Sequence, residues 1–123
     1  MTTFERLLQV TVLYVEDEKI ARQSISSFLG RKVGQILVAE NGDEGLQLYR
    51  ANSPGIVVTD LEMPIMNGME MIRKIREMDA HVPIIVTTAY DDPEHYCPEA
   101  NRVIQKPICF SDLLQAVEEY AAA

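Results

Sequence analysis

The sequence predicts an α/β fold, a parallel sheet with helices packed on both of its faces. Short apolar runs alternate with amphipathic stretches of helical period along the whole chain. The runs are almost uninterrupted by polar residues, the pattern of strands buried on two sides rather than one. Polar and charged residues gather instead where the runs end, and in an open parallel sheet that edge is where sites form.

The elements follow in order. "VTVLYV" (10–15) is rich in β-branched and aromatic residues and stops abruptly at acids, so it reads as a buried strand. Ile20, Ser24, Ile25, Phe28 and Leu29 then recur at helical spacing, and Gly30 offers a stop. "QILVA" (35–39) is the second strand. After Asn41-Gly42 a helix places Leu46, Leu48 and Tyr49 near one side and ends before Ser53-Pro54. "GIVVTD" (55–60) is the third strand, and "LEMPIMNG" is a loop by its proline and Asn-Gly content. Met71, Ile72, Ile75 and Met78 mark the third helix. "PIIVTT" (83–88) and "RVIQ" (102–105) are the fourth and fifth strands. Ser111 is expected to cap a last helix, with Asp112 at its positive end and Leu113, Leu114, Val117 and Tyr120 inward.

Composition narrows the function. A chain of 123 residues fits one domain, 1–123, large enough to bury a core without staples. Its net charge of −8 repels a phosphate backbone, which disfavours direct nucleic-acid binding. No apolar run approaches the roughly 18 residues that span a bilayer, so no membrane association is expected. "MTTFERLLQV" lacks the basic start and apolar stretch of a signal peptide, and Cys97 and Cys109 alone make no disulfide framework. A cytoplasmic protein with reduced thiols is the expectation. The initiator Met close to the first strand suggests a natural N-terminus; the chain is either free-standing or cut from a longer hybrid kinase or regulator.

The chemistry collects at the C-terminal strand ends. Strand one delivers Glu16 and Asp17, strand three Asp60, strand four Thr87 and Thr88, and strand five leads to Lys106. Each has a plainer reading alone, since an acidic pair after a strand is commonly a helix cap or a solvated turn. Converging from four strands, they point to a site. Three carboxylates held close repel one another unless a cation joins them. A hard cation such as Mg²⁺, held by one or two carboxylates with waters and a phosphate, relieves this. Lys106 supplies a compact positive charge, and a carboxylate beside such cations can attack phosphorus to form an acyl phosphate.

The motifs "YVEDE", "VVTDLEMPIMNG", "PIIVTTAY" and "QKPI", in this order and over essentially the full length, resemble a response-regulator receiver domain. The resemblance implies a doubly wound five-stranded parallel sheet of order 2-1-3-4-5, an order for which a receiver domain is a standing example. It implies Asp60 as phosphoacceptor for a histidine kinase or phosphotransfer protein. Mg²⁺ would be held by Asp17, Asp60 and the backbone carbonyl of Glu62, with Glu16 one step further out. Lys106 would pair with Asp60 and then with the phosphoryl oxygens, and Thr88 would be the switch hydroxyl, since it directly precedes Ala89. Ala89 would leave room for the phosphoryl group and offer its N–H. Lys106-Pro107 is a candidate cis peptide. Glu62 and Tyr90 occupy positions that tune phosphoryl loss in this family, and they imply a slow to intermediate rate here. A downstream output protein or domain would read the surface around residues 88–110.

Two departures stand out. Only sixteen residues separate Ala89 from Lys106, and Pro93 and Pro98 interrupt them, so the helix between strands four and five should be short, distorted or absent. The family's switch aromatic falls on Val103, which cannot swing as a ring does. His95 and Cys97 are two possible ligands where a structural zinc site needs about four, so their segment reads as a surface loop. Two alternatives to the phosphorelay switch are a receiver-fold interaction module with little phosphorylation dependence, and a phosphohydrolase. The intact acidic set argues against the first. The missing D-x-D after strand one and the missing cap domain argue against an enzyme.

Overall fold

The computed structural model describes residues 1–121. In chain order it forms α1 (Thr3–Leu7), β1 (Thr11–Val15), α2 (Lys19–Gly30), β2 (Gln35–Ala39), α3 (Gly42–Asn52) and β3 (Ile56–Asp60). Then come α4 (Gly68–Met78), β4 (Ile84–Thr88), β5 (Arg102–Gln105) and α5 (Phe110–Ala121). The strands make one parallel sheet in the order β2-β1-β3-β4-β5, as expected. The order reverses between β1 and β3, which opens the crevice where Glu16, Asp17 and Asp60 emerge.

Alternation along the strands sends side chains to two separate cores. Leu13, Val15, Val57, Ile84 and Val86 face Leu46 and Tyr49 of α3 and Met71, Ile72 and Ile75 of α4. Val12, Tyr14, Ile56, Val58 and Ile85 face Ile25 and Leu29 of α2 and Leu113, Ala116 and Val117 of α5. Three of the intervening helices are capped by side-chain oxygens. Glu18 accepts from the N–H groups of Ile20 and Ala21, Asn41 from Glu44 and Asn67 from Glu70.

Three details differ from expectation. α1 has only five residues, too few to carry a periodic signal, yet it buries Leu7 in the α2–α5 core. Helix α5 starts at Phe110, so Ser111 lies in its first turn, and the Leu113 N–H bonds the carbonyl of Cys109. Ile20 is 72% exposed and Met78 45%: at the start of α2 and the end of α4, the apolar stripe outruns the part of the helix that the sheet covers.

Between β4 and β5 the helix expected to be short, distorted or absent is a single 3-10 turn, Pro93–His95, opened by Asp92. Arg76 of α4 instead holds main-chain carbonyls ahead of both β4 and β5. Arg76 donates to the carbonyls of Val82 at 2.6 Å and Glu99 at 2.9 Å, and to Asn101 Oδ1 at 2.9 Å. Asn101 in turn meets both backbone groups of Ile84, its N–H giving to the carbonyl and its Oδ1 taking the N–H. Cys97 and Ala100 plug the core where a helix would have lain. Replacing Arg76 with Leu strands these acceptors. The expected outcome is a loss of about 2 kcal/mol in urea unfolding, with amide exchange accelerated first around residues 97–101.

Candidate functional site

Glu16, at the end of β1, is fully buried, and Asp60, closing β3, is 6% exposed, whereas Asp17 faces solvent. Their carboxylate oxygens lie within 4.8 Å of one another. Lys106 reaches in from beyond β5 and donates to Asp60 Oδ2 at 2.8 Å and to Glu16 Oε1 at 3.1 Å. The other Asp60 oxygen accepts the Leu61 N–H at 2.7 Å, and the Glu62 N–H leans toward it at 3.4 Å. The loop after Asp60 is pressed against the strand by Gly68, where any side chain would overlap the Asp60 carbonyl. The Lys106-Pro107 peptide is cis.

The electrostatics follow from burial and pairing. Desolvation pushes the Glu16 carboxyl up despite its bond to Lys106, and the neighbouring Asp60 charge adds to the rise. Burial pulls the Lys106 ammonium down, but its hydrogen bonds to Asp60 and Glu16 outweigh that, and its pKa moves up. Three carboxylates against one ammonium leave two negative charges in the crevice. Hard oxygen donors with that surplus fit a hard divalent cation such as Mg²⁺.

Thr88, at the end of β4, is buried, and its hydroxyl accepts the Tyr90 N–H at 3.1 Å. Thr87, the register partner of Asp60, is buried with no hydrogen-bond partner for its hydroxyl among the described residues. Ala89 is exposed beside them. The structure therefore brings Glu16, Asp17, Asp60 and Lys106 into one cluster, with Thr88 and Ala89 on the adjoining strand end and Glu62 on the loop that follows Asp60. Val103 on β5 is 46% exposed, in keeping with the missing helix.

Two contributors have no sequence signal. Arg22 on α2 donates to the carbonyls of Glu16 at 3.0 Å and Asp17 at 3.1 Å and so holds the acidic turn. Nothing in its spacing announces that. The second is His95. Its segment is no bare surface loop: Cys97 is 3% exposed and packs into the core. His95 Nε2 lies 2.9 Å from Glu62 Oε1, Nδ1 bonds Asp92, and the ring stacks on Tyr90. Among the described residues, the group of side chains placed to share a metal is Glu16, Asp17 and Asp60, and it includes neither His95 nor Cys97.

The family model for the response regulator receiver domain matches residues 12–118. The chain belongs to that family. The sensory transduction protein LytT of Oceanobacillus iheyensis is 38% identical over 68% of this chain and 36% of its own length. The response regulator MprA of a Mycobacterium species is 31% identical over 87% of this chain and 48% of its own length. This receiver domain thus spans less than half of either relative. A response regulator receiver domain from Clostridium thermocellum superposes with a TM-score of 0.83 at 27% identity, covering 92% of this chain and 94% of that one. Receiver domains bind Mg²⁺ at an acidic pocket, and here Glu16, Asp17 and Asp60 form one.

His95 titrates in a defined direction. The Asp92 hydrogen bond, with help from Glu62, raises its pKa above the ordinary 6.5. A folded value above the unfolded one means that its pairing stabilises fully below about 6.5 and fades as pH rises through the raised value. An NMR titration of the imidazole should give a midpoint above 6.5 that falls in Asp92→Asn.

Proposed function

We propose that this receiver domain is the phosphoacceptor switch of a two-component phosphorelay. Asp60 takes a phosphoryl group from a phosphohistidine on a histidine kinase or phosphotransfer protein. The observation that carries the reading is the position of Lys106, bonded to both Asp60 and Glu16 in a crevice where Asp17 adds a third carboxylate.

In the step, an Asp60 carboxylate oxygen attacks phosphorus, the N–P bond of the donor breaks, and the freed imidazole nitrogen keeps the bonding electrons and takes up a proton. Asp17, Asp60 and the Glu62 backbone carbonyl would hold Mg²⁺, with Glu16 supporting from its buried position. The ion, when bound, would neutralise charge on the phosphoryl oxygens. The protein's own part is positioning and charge. Lys106 holds Asp60 in orientation, then pairs with the incoming phosphoryl oxygens. The shielded crevice strengthens that attraction relative to water. Ala89 leaves the entrance open because it carries only a methyl group.

The readout lies in residues 88–110. Thr88 is held by the Tyr90 N–H, and drawing its hydroxyl toward a phosphoryl group breaks that bond. The freed segment is the one that lines a shallow pocket with Tyr90, Tyr96 and Val103. An output protein or domain would sense this change, as a shift between two arrangements.

Incubation with Mg²⁺ and acetyl phosphate should give an acid-stable, base-labile adduct, absent in Asp60→Ala and after chelation with EDTA. Lys106→Ala should slow its formation by about tenfold or more. No adduct on the wild-type chain would leave an interaction module, and steady turnover of phosphate esters would mark a phosphohydrolase.

A further inference from the structure

The loop that replaces the missing helix reaches back to the acidic crevice through one side chain. His95 bonds Glu62 through Nε2 at 2.9 Å and lies flat on Tyr90, with ring centroids 3.9 Å apart and planes 8° apart. Glu62 follows Asp60 by two residues, with its N–H 3.4 Å from Asp60 Oδ1. Tyr90 follows Thr88 by two residues; its N–H donates to Thr88 Oγ1 and its carbonyl accepts from Gln105 at 3.0 Å. The contacts form a ring from Asp60 through Glu62, His95, Tyr90 and Thr88, closed through Thr87, the β4 residue that pairs with Asp60. Asp92 fixes the far side of the imidazole. Glu62 and Tyr90 are both about half exposed, so without His95 each would sample many rotamers.

We propose that His95 is a positioning residue that sets the lifetime of the phosphoryl group: by tying Glu62 to Tyr90, it closes the open side of Asp60 against water. This rests on the phosphoacceptor reading. The reaction slowed is hydrolysis. A water oxygen attacks phosphorus, the P–O bond to the Asp60 carboxylate breaks, the carboxylate is regenerated, inorganic phosphate leaves, and the surplus proton passes to solvent. The attacking water must line up opposite the leaving oxygen. A carboxylate and a ring clasped together narrow that approach; two separately mobile side chains do not. The bonds of His95 go to Glu62 and Asp92 rather than to Asp60, so it acts through its neighbours.

The test compares wild type, His95→Ala, His95→Phe, His95→Gln, Glu62→Ala and the double variant His95→Ala/Glu62→Ala. Each is phosphorylated with acetyl phosphate and Mg²⁺ and freed of donor by rapid desalting, and loss of the adduct is followed. His95→Ala should shorten the half-life about threefold or more. His95→Phe keeps a ring on Tyr90 but cannot bond Glu62, so it should also shorten the half-life, and it decides the question where the Ala variant does not fold. His95→Gln, which keeps a donor for Glu62, should recover part of the loss. In the Glu62→Ala background, His95→Ala should add little. An adduct of normal lifetime in folded His95→Ala or His95→Phe overturns the role of His95 alone, as do fully independent effects of His95 and Glu62. No adduct on the wild type overturns the phosphoacceptor reading and this role with it.

Discussion

Lys106 is bonded at once to Asp60 and to the fully buried Glu16, and the geometry of the crevice depends on that double contact. Two carboxylates in a shielded corner repel each other, and burial alone disfavours the charge on either. The ammonium offsets both effects from just beyond β5. It can do so because the parallel sheet delivers all its strand ends to one edge, and because Lys106 N–H bonds the Thr88 carbonyl, which fixes where the side chain starts. Asp60 and Glu16 lie 46 and 90 positions from Lys106 in sequence, so their meeting is wholly a product of topology.

The sheet is covered unevenly. On the side of α2 and α5, the core is closed by regular helices. On the other side, α3 and α4 cover β1 and β3, but beyond them the helix that would cover β4 and β5 has shrunk to a turn. Cys97 fills space where it would have lain, and Arg76 holds carbonyls ahead of β4 and β5. Val103 is half exposed as a consequence. The same economy draws His95 toward the crevice, where a longer helix would have carried that stretch of chain elsewhere.

Much of this was legible in the sequence, and for physical reasons. Near-continuous apolar strands give away a sheet buried on both faces. "QILVA" and "RVIQ" match β2 and β5 residue for residue, since both end sharply at polar or turn residues. The strand-end polar residues named the crevice before any contact was known, because a parallel sheet leaves them only one place to go. Pro93 and Pro98 foretold the lost helix. What stayed hidden depends on three-dimensional partners. Arg22 could serve any number of carbonyls from its place on α2, and a histidine two residues from a cysteine carries no hint that Glu62 is its partner. The short α1 and the shifted start of α5 escaped because the first is too brief for periodicity and the second is set by local hydrogen bonding.

The anchoring of the remodelled loop has a consequence for how such a domain diversifies. At its far end the loop is pinned mostly through main-chain atoms, by Arg76 on the carbonyls of Val82 and Glu99 and by Asn101 on both backbone groups of Ile84. Bonds to backbone are indifferent to which side chains the loop carries. Residues 91 to 98 therefore form a cassette whose composition can be rewritten while its two ends stay in register. Among the described residues, His95 and Cys97 link that cassette to the crevice and the core, and Asp92 holds the His95 ring in place. The remaining positions are free to acquire a new listener without disturbing the chemistry they report.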